Sequence, residues 1–152
     1  MIELHRPTPS RAVTDAMIEH LCGDFLGYGI ARHVFVYGPD PTKVIKLEEP
    51  NGWHQNVLEN EAWEQVQFTK WAKWFAPVHY ISNCGRLLIQ SRTTPLTSMP
   101  RQIPNFLTDL KPDNLGMIGR RVVAHDYALN LLMARGLSGA RLVKTPKCEL
   151  TS

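Results

Sequence analysis

The period of apolar and polar positions changes several times along the 152 residues. Val13, Met17, Ile18 and Leu21 recur at helical spacing behind Pro9-Ser10, so a helix capped by Ser10 and ended near Gly23 is expected. From Phe25 the period shortens. Val34-Phe35-Val36-Tyr37 and Val44-Ile45-Lys46-Leu47 flank Gly38-Pro39-Asp40-Pro41, which predicts two strands around a turn. After the break at Asn51-Gly52, residues 55–73 read as one long helix. Leu58, Ala62 and Val66 form its apolar stripe, with Val57 and Glu61 beside it, and Pro77 beyond its end. Residues 78–82 and 87–90 predict a hairpin around Asn83-Cys84-Gly85.

Residues 91–104 carry Pro95, Pro100 and Pro104 and read as loop or short helix. A short strand is expected at 122–124, a helix at 128–135 ended by Gly136, and a basic, loosely ordered tail over 141–152. The length suits one domain, residues 1–152. It divides into an N-terminal helix (1–22), a sheet-and-helix part (23–90), a smaller part (91–130) and the basic segment (131–152).

Composition narrows the class. Apolar residues make up 43% and charged residues 20%, which argues against disorder, collagen-like repeats and a coiled coil. The net charge of +3 permits a nucleic-acid partner without arguing for one. No apolar run approaches the roughly 20 residues needed to cross a bilayer, and the start has no secretory pattern. Cys22, Cys84 and Cys148 are far apart, with no C-x-x-C pair, which speaks against a disulfide framework or a zinc site of ordinary spacing. A cytoplasmic protein with reduced thiols is expected, in the host cytoplasm if the source is viral. The six histidines are scattered and read as structural or solvated.

The stretch richest in chemistry is Thr108-Asp109-Leu110-Lys111-Pro112-Asp113-Asn114, followed by His125-Asp126-Tyr127-Ala128 after a short apolar strand. This set resembles the catalytic loop and metal-binding aspartate of the protein kinase superfamily. Upstream, the segment from Leu26 through Gly27, Gly29 and Arg32 to Phe35 resembles the glycine-rich loop between two strands. Val44-Ile45-Lys46 resembles the strand carrying the family's lysine, and Glu61 lies on the next helix, where the family keeps a glutamate that pairs with it. The likeness covers roughly residues 23–130 and is greatest to short kinase-like proteins encoded by bacteriophages.

The resemblance implies an α+β, protein kinase-like fold: a small antiparallel sheet with one long helix and a strongly truncated second lobe. It implies ATP and Mg²⁺ as cofactors. Gly27 and Gly29 would let backbone approach the phosphates, Lys46 would supply positive charge, and Glu61 would fix that lysine. Gln90, near the hinge that runs to Arg92, would meet the adenine. Asn114 and Asp126 would hold the metal through hard oxygen ligands. Asp109 would orient and deprotonate an acceptor hydroxyl, and Lys111 would neutralise charge on the transferred phosphoryl group.

Each residue alone has a plainer reading. The glycines can form a turn, Lys46 can point outward from its strand, and Glu59, Glu61 and Glu64 can form a solvated helix face. Asp109, Asn114 and Asp126 can serve turns. Their joint occurrence in order favours the kinase-like reading.

The pattern also departs from the family. Leu107-Thr108 replaces His-Arg, Tyr127-Ala128 replaces Phe-Gly, and 19 positions separate Gln90 from Asp109, too few for the usual scaffold helices. Two functions fit this. One is a minimal phosphotransferase acting on a protein hydroxyl, helped by a partner protein or a second copy of the chain. The other is a kinase-like pseudoenzyme that inhibits or regulates a host system by binding protein. A third, weaker reading is a basic nucleic-acid binder, on Arg120, Arg121, Arg135, Arg141, Lys144 and Lys147 with the four tryptophans. Trp63, Trp71 and Trp74 fall on or beside the expected helix, where core packing is commoner.

Overall fold

A computed structural model of the protein describes residues 11–29, 31–50 and 52–147, with side chains from residue 16 onward. Ser10, Ile30, Asn51, Cys148 and the end of the expected tail lie outside the described residues, as does the side chain of Val13. The fold is α+β, with an antiparallel main sheet and few helices.

The short apolar runs become a five-stranded sheet of β1 (Cys22–Tyr28), β2 (Arg32–Tyr37), β3 (Lys43–Glu48), β4 (Val78–Ile81) and β5 (Leu87–Ser91), in the order β1-β2-β3-β5-β4. Every neighbouring pair is antiparallel. At the β2–β3 turn, Asp40 Oδ1 accepts the Thr42 N–H at 3.0 Å, the local bonding expected of an aspartate in a turn. The turn between β4 and β5 needs its glycine. Gly85 has φ +74°, and a Cβ there would meet Val57 Cγ2 at 2.7 Å.

Register decides which side chains share a face. Arg32 lies opposite Glu48, Val34 opposite Lys46, and Val36 opposite Val44; across β5, Lys46 faces Leu88 and Val44 faces Gln90. Side chains alternate along a strand, so Arg32, Val34, Val36, Val44, Lys46, Glu48, Leu88 and Gln90 all lie on one face. The other face carries Phe25 against Phe35, with ring centroids 5.4 Å apart, and Tyr28 against His33 at 4.6 Å.

The helix α1 (Arg11–Leu21) ends before Gly23, which already belongs to β1, and of its expected stripe Met17 is exposed while Ile18 and Leu21 are half-buried. The long helix is shorter than its pattern predicts: α2 spans Gln55–Val66 instead of reaching residue 73. Thr69 stops it. Both its N–H and its hydroxyl donate to the Val66 carbonyl at 2.8 Å, and the hydroxyl accepts the Trp71 N–H at 3.1 Å. The chain then turns inward through a 3-10 turn at Ala72–Trp74. The buried stripe of α2 is Asn56, Glu59, Ala62 and Val66, so the stripe expected from Leu58 holds only in its last two members.

Downstream, two small sheets replace the expected loop and tail. One is β6 (Thr94–Pro95), β8 (Leu115–Ile118) and β9 (Arg121–Ala124), ordered β6-β8-β9. The other pairs β7 (Gln102–Pro104) with β10 (Leu142–Lys144), so part of the supposed tail is an ordered strand. The helix expected at 128–135 contracts to α3 (Leu132–Arg135), where Asn130 Oδ1 accepts the Leu132 N–H at 2.8 Å.

The main core joins α2 to this second half. Ala62 and Val66 pack with Trp71, Phe75, Ile103, Phe106, Leu107, Leu115, Ala124, Tyr127 and Leu132. Phe75 stands edge-on to Tyr127 at 4.8 Å and is stacked with Phe106 at 5.8 Å. Burying each such ring stabilises by about 1.5–3 kcal/mol, so this core fixes α2 relative to the segments that follow it. Trp71 is buried here, with Trp63 and Trp74 packed alongside, as the helical placement of the tryptophans suggested.

Candidate functional site

Where the sheet, α2 and the segment after β9 meet, four charged side chains converge from distant parts of the chain. Lys46, from the middle of β3, is buried and donates to Glu59 Oε2 at 3.0 Å and Oε1 at 3.3 Å. Its ammonium also donates to the His125 carbonyl. Arg32, the first residue of β2, is equally buried. Its Nη2 donates to Glu59 Oε1 and to Asp126 Oδ1, both at 2.8 Å, and its Nη1 donates to Asn56 Oδ1 at 3.2 Å. Glu59 is fully enclosed and also accepts the Tyr127 N–H at 3.1 Å.

The electrostatics follow from burial and pairing. Burial alone would raise the Glu59 carboxyl, but Lys46 and Arg32 overcome it and hold the pKa at about 2. Burial lowers the pKa of Lys46, and neighbouring Arg32 adds to this, against the pull of Glu59 and Asp126. Burial works in the same direction on Arg32, yet Glu59 and Asp126 raise its pKa above the ordinary value. Asp126 is the open member, with 46% of its side chain exposed. Partial burial raises its pKa, with Glu59 adding and Lys46 and Arg32 opposing. Two cations and two carboxylates leave the cluster formally neutral, which is the condition for burying so many charges together.

The Asp109 to Asn114 loop comes to the exposed side of this cluster. Phe106 and Leu107 are buried and anchor its start, and the Leu131 N–H donates to the Phe106 carbonyl at 2.9 Å. Its end is the 3-10 turn Pro112–Asn114, leading into β8. The Asn114 carbonyl accepts the N–H groups of His125 at 3.0 Å and Asp126 at 3.3 Å, which brings Asn114 and Asp126 together. The Asn114 amide nitrogen donates to the Asp109 carbonyl at 3.1 Å. Lys111 Nζ lies 3.8 Å from Asp109 Oδ1, with 76% of the lysine side chain and 31% of the aspartate exposed.

His125 ties the loop down. Its Nε2 lies 2.6 Å from the Asp113 carbonyl and its Nδ1 lies 2.7 Å from the Thr93 hydroxyl. A carbonyl can only accept, so Nε2 carries the proton, and in the neutral ring Nδ1 accepts from Thr93. Burial and the nearby Lys46 lower the His125 pKa, which favours that neutral ring.

Contacts therefore link Lys46 to His125-Asp126, Asp126 to Asn114, Asn114 to Asp109, and Asp109 to Lys111. Glu61 is not among these residues: it is half-buried on α2, and among the described residues the partner of Lys46 is Glu59. The reason is helical phase. Glu59 lies three residues beyond Asn56 and three before Ala62, on the stripe facing the sheet, and Glu61 is turned away from it. Gln90 is also not at an opening. It shares the face of Lys46 but is fully buried between Val44 and Val78 in the sheet. Gly27 and Gly29 sit at the β1–β2 hairpin, which the Gly29 N–H closes by donating to the Arg32 carbonyl at 2.9 Å. A Cβ on Gly27 would meet nothing within 4 Å, and one on Gly29 would touch only the Arg32 carbonyl at 3.9 Å. The fold's own packing thus makes no demand for glycine at either position.

Sequence reasoning missed Arg32, Asn56, Glu59 and His125. Asn56 and Glu59 carried a readable signal, since both stand in phase with Ala62 and Val66. Arg32 gave none, because its burial depends on three partners distant in sequence.

Among the described residues, no three His, Cys, Asp or Glu side chains group as a self-contained metal site, Cys22 and Cys84 are free thiols, and no helix is long and apolar enough to cross a membrane. No family model matches the chain, and no curated protein matches it.

Proposed function

We propose that the chain is a minimal kinase-like protein that transfers a phosphoryl group from ATP, with Mg²⁺, to a protein hydroxyl. The observation that carries this reading is the chain of contacts that links Lys46 to His125-Asp126, Asp126 to Asn114 and Asn114 to Asp109, residues spread over 80 positions, with Asp126 half-exposed. A structural ion-pair network accounts for Lys46 and Glu59, but it gives no reason for Asn114 to stand beside Asp126 and to hold the Asp109 carbonyl.

In this reading Lys46, steadied by Glu59 in the role expected of Glu61, meets the nucleotide phosphates. Gly27 and Gly29 leave backbone bare for the same phosphates, which agrees with their lack of any packing role. The donor set suits Mg²⁺. Asp126 offers a half-exposed carboxylate and Asn114 an amide oxygen, and such an ion completes its shell with phosphate oxygens and water instead of a protein cage. Bound there, the ion would neutralise charge on the phosphates. Asp109 is partly exposed and free to orient an acceptor hydroxyl and take its proton, and Lys111 lies beside it to meet negative charge on the phosphoryl group.

One observation favours the second reading, a pseudoenzyme that binds a protein of a host system. Arg32 already holds Asp126 Oδ1 at 2.8 Å, so a cation of the chain itself sits on the carboxylate that the metal would use. Incubation with γ-labelled ATP and Mg²⁺, alone and with a cell lysate, separates the two. Transfer to the chain or to lysate proteins, lost in Asp109→Asn, supports the transferase. No transfer by wild type, or equal transfer by Asp109→Asn, rejects the role given to Asp109.

A further inference from the structure

A separate groove of about 760 Å³ has Pro112, inside the Asp109 to Asn114 loop, in its lining. Its walls are the segment from Met99 to Gln102 and the segment from Lys144 to Lys147. These walls are fastened together. Gln102 pairs with Lys144 across β7 and β10, the Thr145 N–H donates to the Arg101 carbonyl at 3.0 Å, and the Thr145 hydroxyl donates to the Pro100 carbonyl at 2.5 Å. Strand alternation sends Ile103 and Val143 into the core and leaves Gln102 and Lys144 exposed on the groove side.

The lining has a definite chemistry. Arg101, Lys144 and Lys147 supply three exposed cations, and among the described residues none that lines the groove is acidic. Met99, Pro100, Pro112 and Pro146 make the rest of the lining largely apolar. A nucleic-acid strand would call for aromatic platforms on which bases stack, and no described lining residue is aromatic. A lining of cations and apolar side chains suits a protein segment with carboxylates flanking an apolar anchor.

We propose that this groove docks an acidic protein segment and delivers its hydroxyl to Asp109, so that the phosphate acceptor is a Ser, Thr or Tyr flanked by Asp or Glu. The inference rests on the phosphotransfer reading for the word acceptor, and on the groove alone for the docking. Pro112 links the two, since it lines the groove and stands three residues from Asp109 and next to Lys111.

The test uses the full chain and two short fluorescent peptides with the same central serine and leucines, one flanked by Glu and the other by Lys. Fluorescence anisotropy should give about tenfold or tighter binding of the acidic peptide by wild type. Arg101→Glu/Lys144→Glu should lose or invert that preference, and Lys147→Glu should weaken it. All three substituted side chains are exposed, so each variant should keep the wild-type circular dichroism and response to Mg-ATP. Equal binding of both peptides by wild type overturns the proposal, as does a charge-reversed variant that keeps the acidic preference. Tighter binding of a single-stranded oligonucleotide than of the acidic peptide overturns it in favour of nucleic acid. If the acidic preference is intact but Mg-ATP has no effect on wild type, the docking surface stands and the transferase reading falls.

Discussion

Lys46 and Lys111 are the two lysines of the candidate site, and they sit in opposite surroundings. Lys46 is buried, with both oxygens of Glu59 and the His125 carbonyl in reach of its ammonium. Lys111 is 76% exposed, and its nearest carboxylate, Asp109, is 3.8 Å away. The first belongs to a region whose charges are matched and fixed before any ligand arrives. The second belongs to a loop in which Lys111, Pro112 and Asp113 are exposed and Asp109 is partly so. A site of this kind divides its labour: the buried part sets a field, and the open part has freedom to meet a substrate. Mutations should therefore act on stability in one region and on chemistry in the other.

The strongest way to break that contrast is Glu59→Ala. It leaves two buried cations without their shared partner, and the expected loss is about 3–5 kcal/mol in chemical denaturation. A loss below about 1 kcal/mol would mean that the cluster is not the fixed element described here.

Acid should separate the regions next. Glu59 titrates at about 2 in the fold against an ordinary 4.5. A depressed carboxylate stabilises above its unfolded pKa, and that contribution fades as pH falls through the folded one, so wild type should lose about 3 kcal/mol between pH 5 and pH 2. Asp126, raised in the fold, acts with the opposite sign and offsets part of this. Glu59→Gln should flatten the acid limb, and an unchanged acid limb would remove Glu59 from the account.

The loop should give the smallest stability effects. Lys111→Ala at an exposed position and Asp109→Asn at a partly exposed one, where the substitution is isosteric, should each change stability by about 0.5 kcal/mol or less. Asp109→Asn should nonetheless cut phosphoryl transfer by about a hundredfold or more. A large stability loss in either variant would erase the distinction between the two regions.

Legibility in the sequence follows the same division. The strands β2, β3 and β5 and the loop from Asp109 to Asn114 could be read directly, because short β-branched runs and a local motif carry their own signals. The end of α2 could not, since Thr69 stops it by a side-chain bond that competes with the helix. Nor could the strand at Leu142–Lys144, which exists only because Gln102–Pro104 lies beside it. Choosing Glu61 over Glu59 failed on helical phase: the polar members of the buried stripe, Asn56 and Glu59, outweigh the apolar Leu58 used to orient the helix. Arg32 shows the limit of a linear reading, because a strand-start arginine is ordinarily exposed, and its burial here rests on Asn56, Glu59 and Asp126, all distant in sequence.

Thermal unfolding is the sharpest check on the proposal that Asp126 and Lys46 form a site for Mg-ATP. Ligand that binds only the native state must raise Tm. Wild type should gain a few degrees with millimolar ATP and Mg²⁺, and the gain should vanish with EDTA and in Asp126→Ala. No gain in wild type, or an equal gain in Asp126→Ala, would contradict the account.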